Sequence, residues 1–128
     1  MNLLVDTQAF LWFINGSRAL SARAKASLEN EAHIVYFSAA SYWEICIKIS
    51  LGKLQLATGW QTTIFDQLVA NNFIWLPIKR EHCEQIISLP WLHRDPFDRL
   101  LIAQAICDQL VLVTSDKNFK GYSVPTLW

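Results

Sequence analysis

The chain is predicted to fold as an α/β protein with a mainly parallel central sheet. Short runs of strand formers, at Asn2 to Val5, His33 to Phe37, Phe73 to Leu76 and Leu110 to Thr114, alternate with segments whose apolar residues recur at helical spacing. These strand runs are apolar on both faces, as happens when helices cover a parallel sheet on each side. With 128 residues, 52% of them hydrophobic and 17% charged, the chain suits one domain, residues 1–128, with a substantial core.

The first strand ends at Asp6-Thr7, after which Phe10, Leu11 and Ile14 set a helix that Asn15-Gly16-Ser17 breaks. Ser21 caps a second helix reaching about Asn30, with Arg23, Lys25 and Glu29 on its wet side. Beyond the second strand, Ser38 and Ser41 lead into a helix whose Trp43, Ile47 and Leu51 mark an inner stripe, closed by Gly52. Trp60 to Val69 form an amphipathic helix stopped by Asn71-Asn72, and the third strand ends at Pro77. A helix over Glu81 to Ser88 follows, then Pro90-Trp91. The stretch His93-Arg94-Asp95-Pro96-Phe97-Asp98-Arg99 then opens an almost wholly apolar helix running through Cys107. Here Asp95 suits the N-cap, Pro96 the first helical position, and Asp98 the third, where an acid meets the positive end of the helix dipole. The Leu110 to Thr114 strand leads to Ser115-Asp116, a short turn with Lys117, Asn118 and Lys120, and a last extended piece at Tyr122 to Trp128.

Lys+Arg and Asp+Glu number 11 each, so the chain lacks the basic excess that holds nucleic acid by charge alone; any nucleic acid must be held locally. Cys46, Cys83 and Cys107 are odd in number and lack CxxC spacing, which points to buried, reduced thiols in a cytoplasmic protein rather than to disulfides or zinc. The apolar opening run is interrupted by Asp6 and Gln8 and has no basic flank. Neither a signal peptide nor a membrane span is expected.

Sites in open parallel sheets form outside the carboxyl ends of the strands. Asp6 ends the first strand, Asp116 follows the fourth, and Glu44 and Asp98 lie in the first turns of helices that open on the same edge. Two bare carboxylates about 4 Å apart repel by roughly 4 kcal/mol at an effective dielectric of 20. Such a cluster needs shared protons or a cation, and because no His or Cys falls at these four positions the ligands are all oxygen. That donor set suits Mg²⁺ or Mn²⁺ over zinc. Each acid also has a purely structural reading: Ser41 and Glu44 as a capping box, Asp6 as the cap of the next helix, Asp116 as the close of a turn. Thr7, Thr114 and Ser115 neighbour the acids and can orient metal-bound water or serve the backbone. Asp95 is close enough to be an extra ligand or to orient one. Arg94 or Arg99 can meet a phosphate, with His93 beside them; Lys48, one turn after Glu44, is its ion-pair partner, and His33 and His82 read as structural.

In this order and spacing the motifs resemble the PIN-domain family, and in particular VapC-type toxins of bacterial toxin–antitoxin pairs. The resemblance spans nearly the whole chain: Leu4-Val5-Asp6-Thr7, the Ser38, Ser41, Glu44 helix, Asp98 with Leu101-Ile102-Ala103, and Thr114 with Asp116. The form Asp-Pro-Phe-Asp-Arg-Leu-Leu-Ile-Ala-Gln-Ala resembles one subgroup, in which Asp98 rather than Asp95 takes the metal-site position. The resemblance implies a PIN-like three-layer α/β/α fold and a metal-dependent endoribonuclease, with Mg²⁺ or Mn²⁺ on Asp6, Glu44, Asp98 and Asp116 activating water for in-line attack on an RNA phosphodiester. It also implies a homodimer and a small antitoxin partner, for which Trp12, Trp43 and Trp60 are candidate contacts. The rivals are a non-catalytic interaction module on the same fold and an aspartate-based phosphatase or receiver domain. The latter is disfavoured because Asp6-Thr7-Gln8 lacks the second acid two residues on.

Overall fold

Side chains alternate along a strand, so Leu3 and Val5 face one side of the sheet and Leu4 the other. The computed structural model, which describes residues 1–128, builds a core on each side from this alternation. Leu3 and Val5 join Val35, Phe37 and Val113 beneath Phe10, Leu28, Ile64 and Leu68, while Leu4 and Leu112 meet Leu101, Ile102 and Ala105.

Five strands carry these residues: β1 (Asn2–Val5), β2 (Ile34–Ser38), β3 (Ile74–Leu76), β4 (Val111–Val113) and β5 (Thr126–Leu127). They pair in the order β3-β2-β1-β4-β5, every pairing parallel, with Val5 opposite Phe37 on one side and Val113 on the other. Helices α1 (Thr7–Asn15), α2 (Ala22–Glu29) and α4 (Trp60–Ala70) cover the first face. On the opposite face lie α5 (Arg80–Gln85) and α6 (Pro96–Asp108); α3 (Ala39–Ser50) lends Ile45 to one core and Ala40 to the other. The result is the expected three-layer α/β/α sandwich. No helix is long and apolar enough to cross a membrane.

Helix ends follow the expected chemistry. Gly16 closes α1 in the left-handed conformation at φ 64°, Ser21 caps α2 by accepting from Ala24 N at 3.0 Å, and Asp95 caps α6. Three details differ from expectation. The Glu81 to Ser88 segment divides into α5 and a separate 3₁₀ turn, Ile86–Ser88. Trp43 and Leu51 are not an inner stripe, being 52% and 61% exposed; α3 instead turns Ser41, Glu44 and Ile45 inward. The reason is rotation: residues 43 and 44 lie about 100° apart on a helix, so burying Glu44 turns Trp43 outward, where it meets Phe97 edge-on at 5.1 Å. Finally, the cysteines are free but not buried: Cys46 and Cys83 are exposed and Cys107 half-buried.

A polar seam joins α3 to α6 across the second core. Ser38, the N-cap of α3, accepts from Ala40 N and donates to Oε1 of the fully buried Gln104 of α6. Gln104 Nε2 donates to Pro77 O at 3.3 Å and lies 3.4 Å from Nδ1 of the buried His82. That nitrogen accepts from Lys79 N, so the His82 proton resides on Nε2 and is donated to Asp108 at 3.0 Å.

Candidate active site

The strand order sets the place of the site. From β1 the chain steps outward to β2 and β3, then returns to the other flank of β1 as β4, so connections diverge between the carboxyl ends of β1 and β4 and a crevice opens there. Asp6 leaves β1 at this point. Its amide donates to Val113 O at 3.1 Å, and its Oδ1 accepts from Ala9 N at 2.7 Å, capping α1. Thr114, buried nearby, accepts at Oγ1 from Asp116 N at 3.0 Å. Asp116 caps the 3₁₀ turn Lys117–Phe119 through Asn118 N at 2.9 Å. Capping and site placement therefore coexist in both residues.

Glu44 comes from the second turn of α3 and is buried. Thr7 donates to its Oε1 at 2.7 Å, Thr7 Oγ1 lies 2.9 Å from Ser41 Oγ, and Lys48 Nζ sits 2.6 Å from Oε2. The capping-box alternative for Ser41 and Glu44 does not form, because Ser38 holds the cap. Asp98 is the third residue of α6, and its Oδ2 accepts from His93 Nε2 at 2.8 Å. Asp95 Oδ1 accepts from the amides of Phe97 and Asp98 at 2.9 and 3.0 Å, the cap geometry expected of it.

These elements enclose a cleft of about 440 Å³ bordered by no hydrophobic residue. Its lining includes five carboxylates, Asp6, Glu44, Asp95, Asp98 and Asp116, against one ammonium, Lys48; Thr7, Gln8, His93, Ser115 and Asn118 complete it. Ligand atoms of His93, Asp98 and Asp116 lie within 4.8 Å of one another, with Asp6 and Glu44 bordering the same space outside this closest group. Burial pushes the Asp6 carboxyl up to about 6; hydrogen bonds from Thr114 and Ala9 pull it down, and Asp116 and Glu44 push it further up. Burial likewise lifts Asp98 to about 6, moderated by the His93 hydrogen bond and reinforced by Asp95 and Glu44. The hydrogen bond to Glu44 raises Lys48 above its ordinary value. A buried set of carboxylates, whose ionisation is disfavoured first by burial and then by mutual repulsion, fits a hard divalent cation, which would compensate both.

All four expected acids thus border one cleft, with Thr7 and Ser115 in its wall and Thr114 buried behind Asp6. Arg99 does not: as a substrate-contacting residue it is corrected by the structure. It is 3% exposed, and its guanidinium donates to Pro90 O at 2.8 Å and to the carbonyls of Ile86 and Leu89 at 3.4 Å, with the Trp91 ring 4.0 Å away. Both Nη groups are directed to carbonyls and a hydroxyl within the fold, and Arg99 does not line the cleft. Arg94 is exposed and lies outside the cleft lining. The loop before α6 also brings the His93 ring to the acids, where it bonds Asp98. Its place in the loop just before the capping Asp95 and Asp98, five residues ahead of the latter, was the available signal.

A family model described as PIN domain matches residues 3–124. No curated protein sequence matches the chain. Among solved structures, the chain is similar to a VapBC2 complex from Rickettsia felis bound to a DNA fragment from their promoter, at 14% identity and a TM-score of 0.72, covering 99% of this chain and 98% of the other. It is also similar to a toxin–antitoxin complex from Klebsiella pneumoniae, at 18% identity and a TM-score of 0.65, over 98% and 96% of the two chains. FitAcB from Neisseria gonorrhoeae aligns at 16% identity and a TM-score of 0.59, over 100% and 97%. At these identities the likeness is one of fold.

Proposed function

The chain belongs to the PIN domain family, and from that premise we propose that residues 1–128 form a single VapC-like domain acting as a metal-dependent endoribonuclease. The observation that carries the reading is the wholly polar cleft at the β1/β4 switch point, where carboxylates from four separate segments converge and burial, reinforced by the neighbouring acids, holds two of them up at about 6. Asp6, Asp98 and Asp116 are the residues with oxygens to offer a cation. Glu44, whose two oxygens are already bonded to Thr7 and Lys48, orients its surroundings or holds the ion through water. Bound Mg²⁺ or Mn²⁺ supplies Lewis acidity for in-line attack of water on a phosphodiester and offsets charge on the leaving oxygen.

The protein's own residues do the rest. The Ala9 amide fixes the Asp6 carboxylate, Thr114 Oγ1 holds the Asp116 amide, and the turn after β4 presents Asp116 beside Asp98. Lys48, held against Glu44, is the one fixed positive charge at the cleft and can meet a phosphate oxygen of the bound strand. Thr7 and Ser115 stand where a hydroxyl can orient water, and Asp95 holds α6 in register.

The partner proposed is a small antitoxin, in line with the toxin–antitoxin complexes among the similar folds, and the assembly proposed is a homodimer in the cytoplasm. Exposed Trp43 is an apolar contact available to either, whereas Trp12 and Trp60 pack against the first core. The test is cleavage of RNA by the pure protein with Mg²⁺ or Mn²⁺, beside an EDTA control and Asp98→Asn. Metal-dependent products with 5′-phosphate ends, lost in the variant, are expected. Equal cleavage by Asp98→Asn would refute the assignment.

A further inference from the structure

The protein uses only one of the two carboxylate oxygens of Asp98. Oδ2 accepts from His93 Nε2 at 2.8 Å, and Oδ1 has no protein donor. The imidazole making that contact is fixed from both sides of its own backbone. The His93 amide donates to the Tyr122 hydroxyl at 2.9 Å, and its carbonyl accepts from Arg99 Nη1 at 3.4 Å. Arg99 Nη1 also reaches the Tyr122 hydroxyl, at 3.3 Å, so a single buried guanidinium ties the loop before α6 to the tyrosine that holds the histidine. Arg99 immediately follows Asp98 on α6. The carboxylate and the anchor of its hydrogen-bond donor therefore move as one body.

The ring contacts distinguish two roles for His93. An imidazole that ligates a metal through one nitrogen normally donates its other N–H to an acceptor, which fixes ring orientation and tautomer. His93 Nδ1 meets no protein acceptor, whereas Nε2 is in ideal range to donate to a carboxylate. We propose that His93 is a positioning residue: by occupying Asp98 Oδ2 from a loop clamped by Arg99 and Tyr122, it leaves Oδ1 as the oxygen offered to a divalent cation. This rests on the metal-binding reading of the cleft. It also gives the buried Arg99 a task toward the site, through the loop rather than through a phosphate.

The experiment titrates Mn²⁺ into the full-length protein and into His93→Ala, His93→Gln and His93→Asn by calorimetry, with thermal melts to establish folding and Mn²⁺ electron paramagnetic resonance of the loaded wild type. Gln carries an N–H at nearly the reach of His Nε2, while Asn is one methylene shorter. The expected result is a loss of about 10–100-fold in Mn²⁺ affinity for His93→Ala and His93→Asn, a scale typical of residues that orient a ligand. Recovery of most of the affinity in His93→Gln is expected, without nitrogen hyperfine coupling from a directly bound ring. Unchanged affinity in His93→Ala overturns the proposal, as does strong nitrogen coupling together with failure of His93→Gln to rescue, which would make His93 a ligand. Should His93→Ala not fold, the contrast between Gln and Asn decides the matter in the same way. A wild type that binds no Mn²⁺ would instead remove the reading of the cleft on which the proposal stands.

Discussion

A carboxylate buried beside other carboxylates weakens the metal-free fold, and Asp6 and Asp98 both stand in that position. Each is held at about 6 when folded against an ordinary 3.8, so between those values the folded protein binds more protons than the unfolded chain. Stability from these two groups therefore rises as pH falls from about 6 toward 3.8, and their penalty is complete above 6. Replacing either by Asn removes the charge and keeps an acceptor, and Asn remains a good N-cap for Asp6. Asp6→Asn and Asp98→Asn are each expected to stabilise the metal-free protein at pH 7 by about 1–3 kcal/mol, an order of magnitude set by roughly 1.4 kcal/mol per pH unit. Thermal melts across pH should show the gap to wild type closing toward pH 4. Added Mn²⁺ should reverse it, because the wild type alone gains a bound ion. Loss of the gap at all pH values would mean that neither burial nor the neighbouring acids penalise these two carboxylates. The four acids were legible from sequence because each sits at the end of a strand or the start of a helix. His93 was legible as a neighbour of the acids in the loop before α6, but its bond to Asp98 was not, since its approach depends on how the chain turns between Trp91 and Pro96.

The helices α3 and α6 bring Glu44 and Asp98 to the cleft, and the Ser38 to Gln104 bond links them through the protein interior. Ser38→Ala removes an N-cap and leaves a fully buried amide oxygen without its donor, two losses of about 1 and 1–3 kcal/mol. A destabilisation of roughly 2–4 kcal/mol by denaturant titration is expected, against a change within about 0.5 kcal/mol for Ser50→Ala, a residue on the exposed end of the same helix. Ser38 was readable as a helix lead-in, but its partner 66 residues away was not, because hydrogen bonding across a core leaves no periodic trace. Arg99 illustrates the opposite difficulty. Its neighbours Asp98 and Arg94 suggest a charged surface, while the run Leu100 to Ala105 is wholly buried. On a helix enclosed this fully, even the charged residue of the first turn is drawn inside, and five carbonyl and hydroxyl acceptors around it make that tolerable. Likewise the Trp43, Ile47, Leu51 spacing is truly helical but does not fix which side faces in; packing of Glu44 against Thr7 and Lys48 decides it.

At the scale of the whole molecule, an uncharged total and an acidic cleft leave little long-range attraction for a polyanion. Metal-free binding to single-stranded RNA is expected to be weak at about 0.15 M salt, with a shallow dependence of log K on log salt reflecting only a few phosphate contacts. Mn²⁺ should tighten it for the wild type and not for Asp98→Asn, as filter binding with catalysis blocked by a non-hydrolysable backbone would measure. Tight, steeply salt-dependent binding without metal would place the RNA on another surface. The layered architecture was legible because strand and helix periods alternate along the whole chain; the strand order was not, since nothing local says that β4 returns to the far side of β1. That return leaves β5, two residues long, as the outer neighbour of β4. Only two amides of β4 and its exit, those of Leu112 and Thr114, point to it, bonding Pro125 O and Leu127 O. Edge pairings this short open far below the cost of global unfolding. Amide exchange followed by NMR should therefore find Leu112 and Thr114 trading their protons for deuterium well before Leu4 and Val5 on the central strand. Each such opening loosens the backbone from which Thr114 holds the Asp116 amide, so the tempo of the cleft is set at the fraying margin of the sheet.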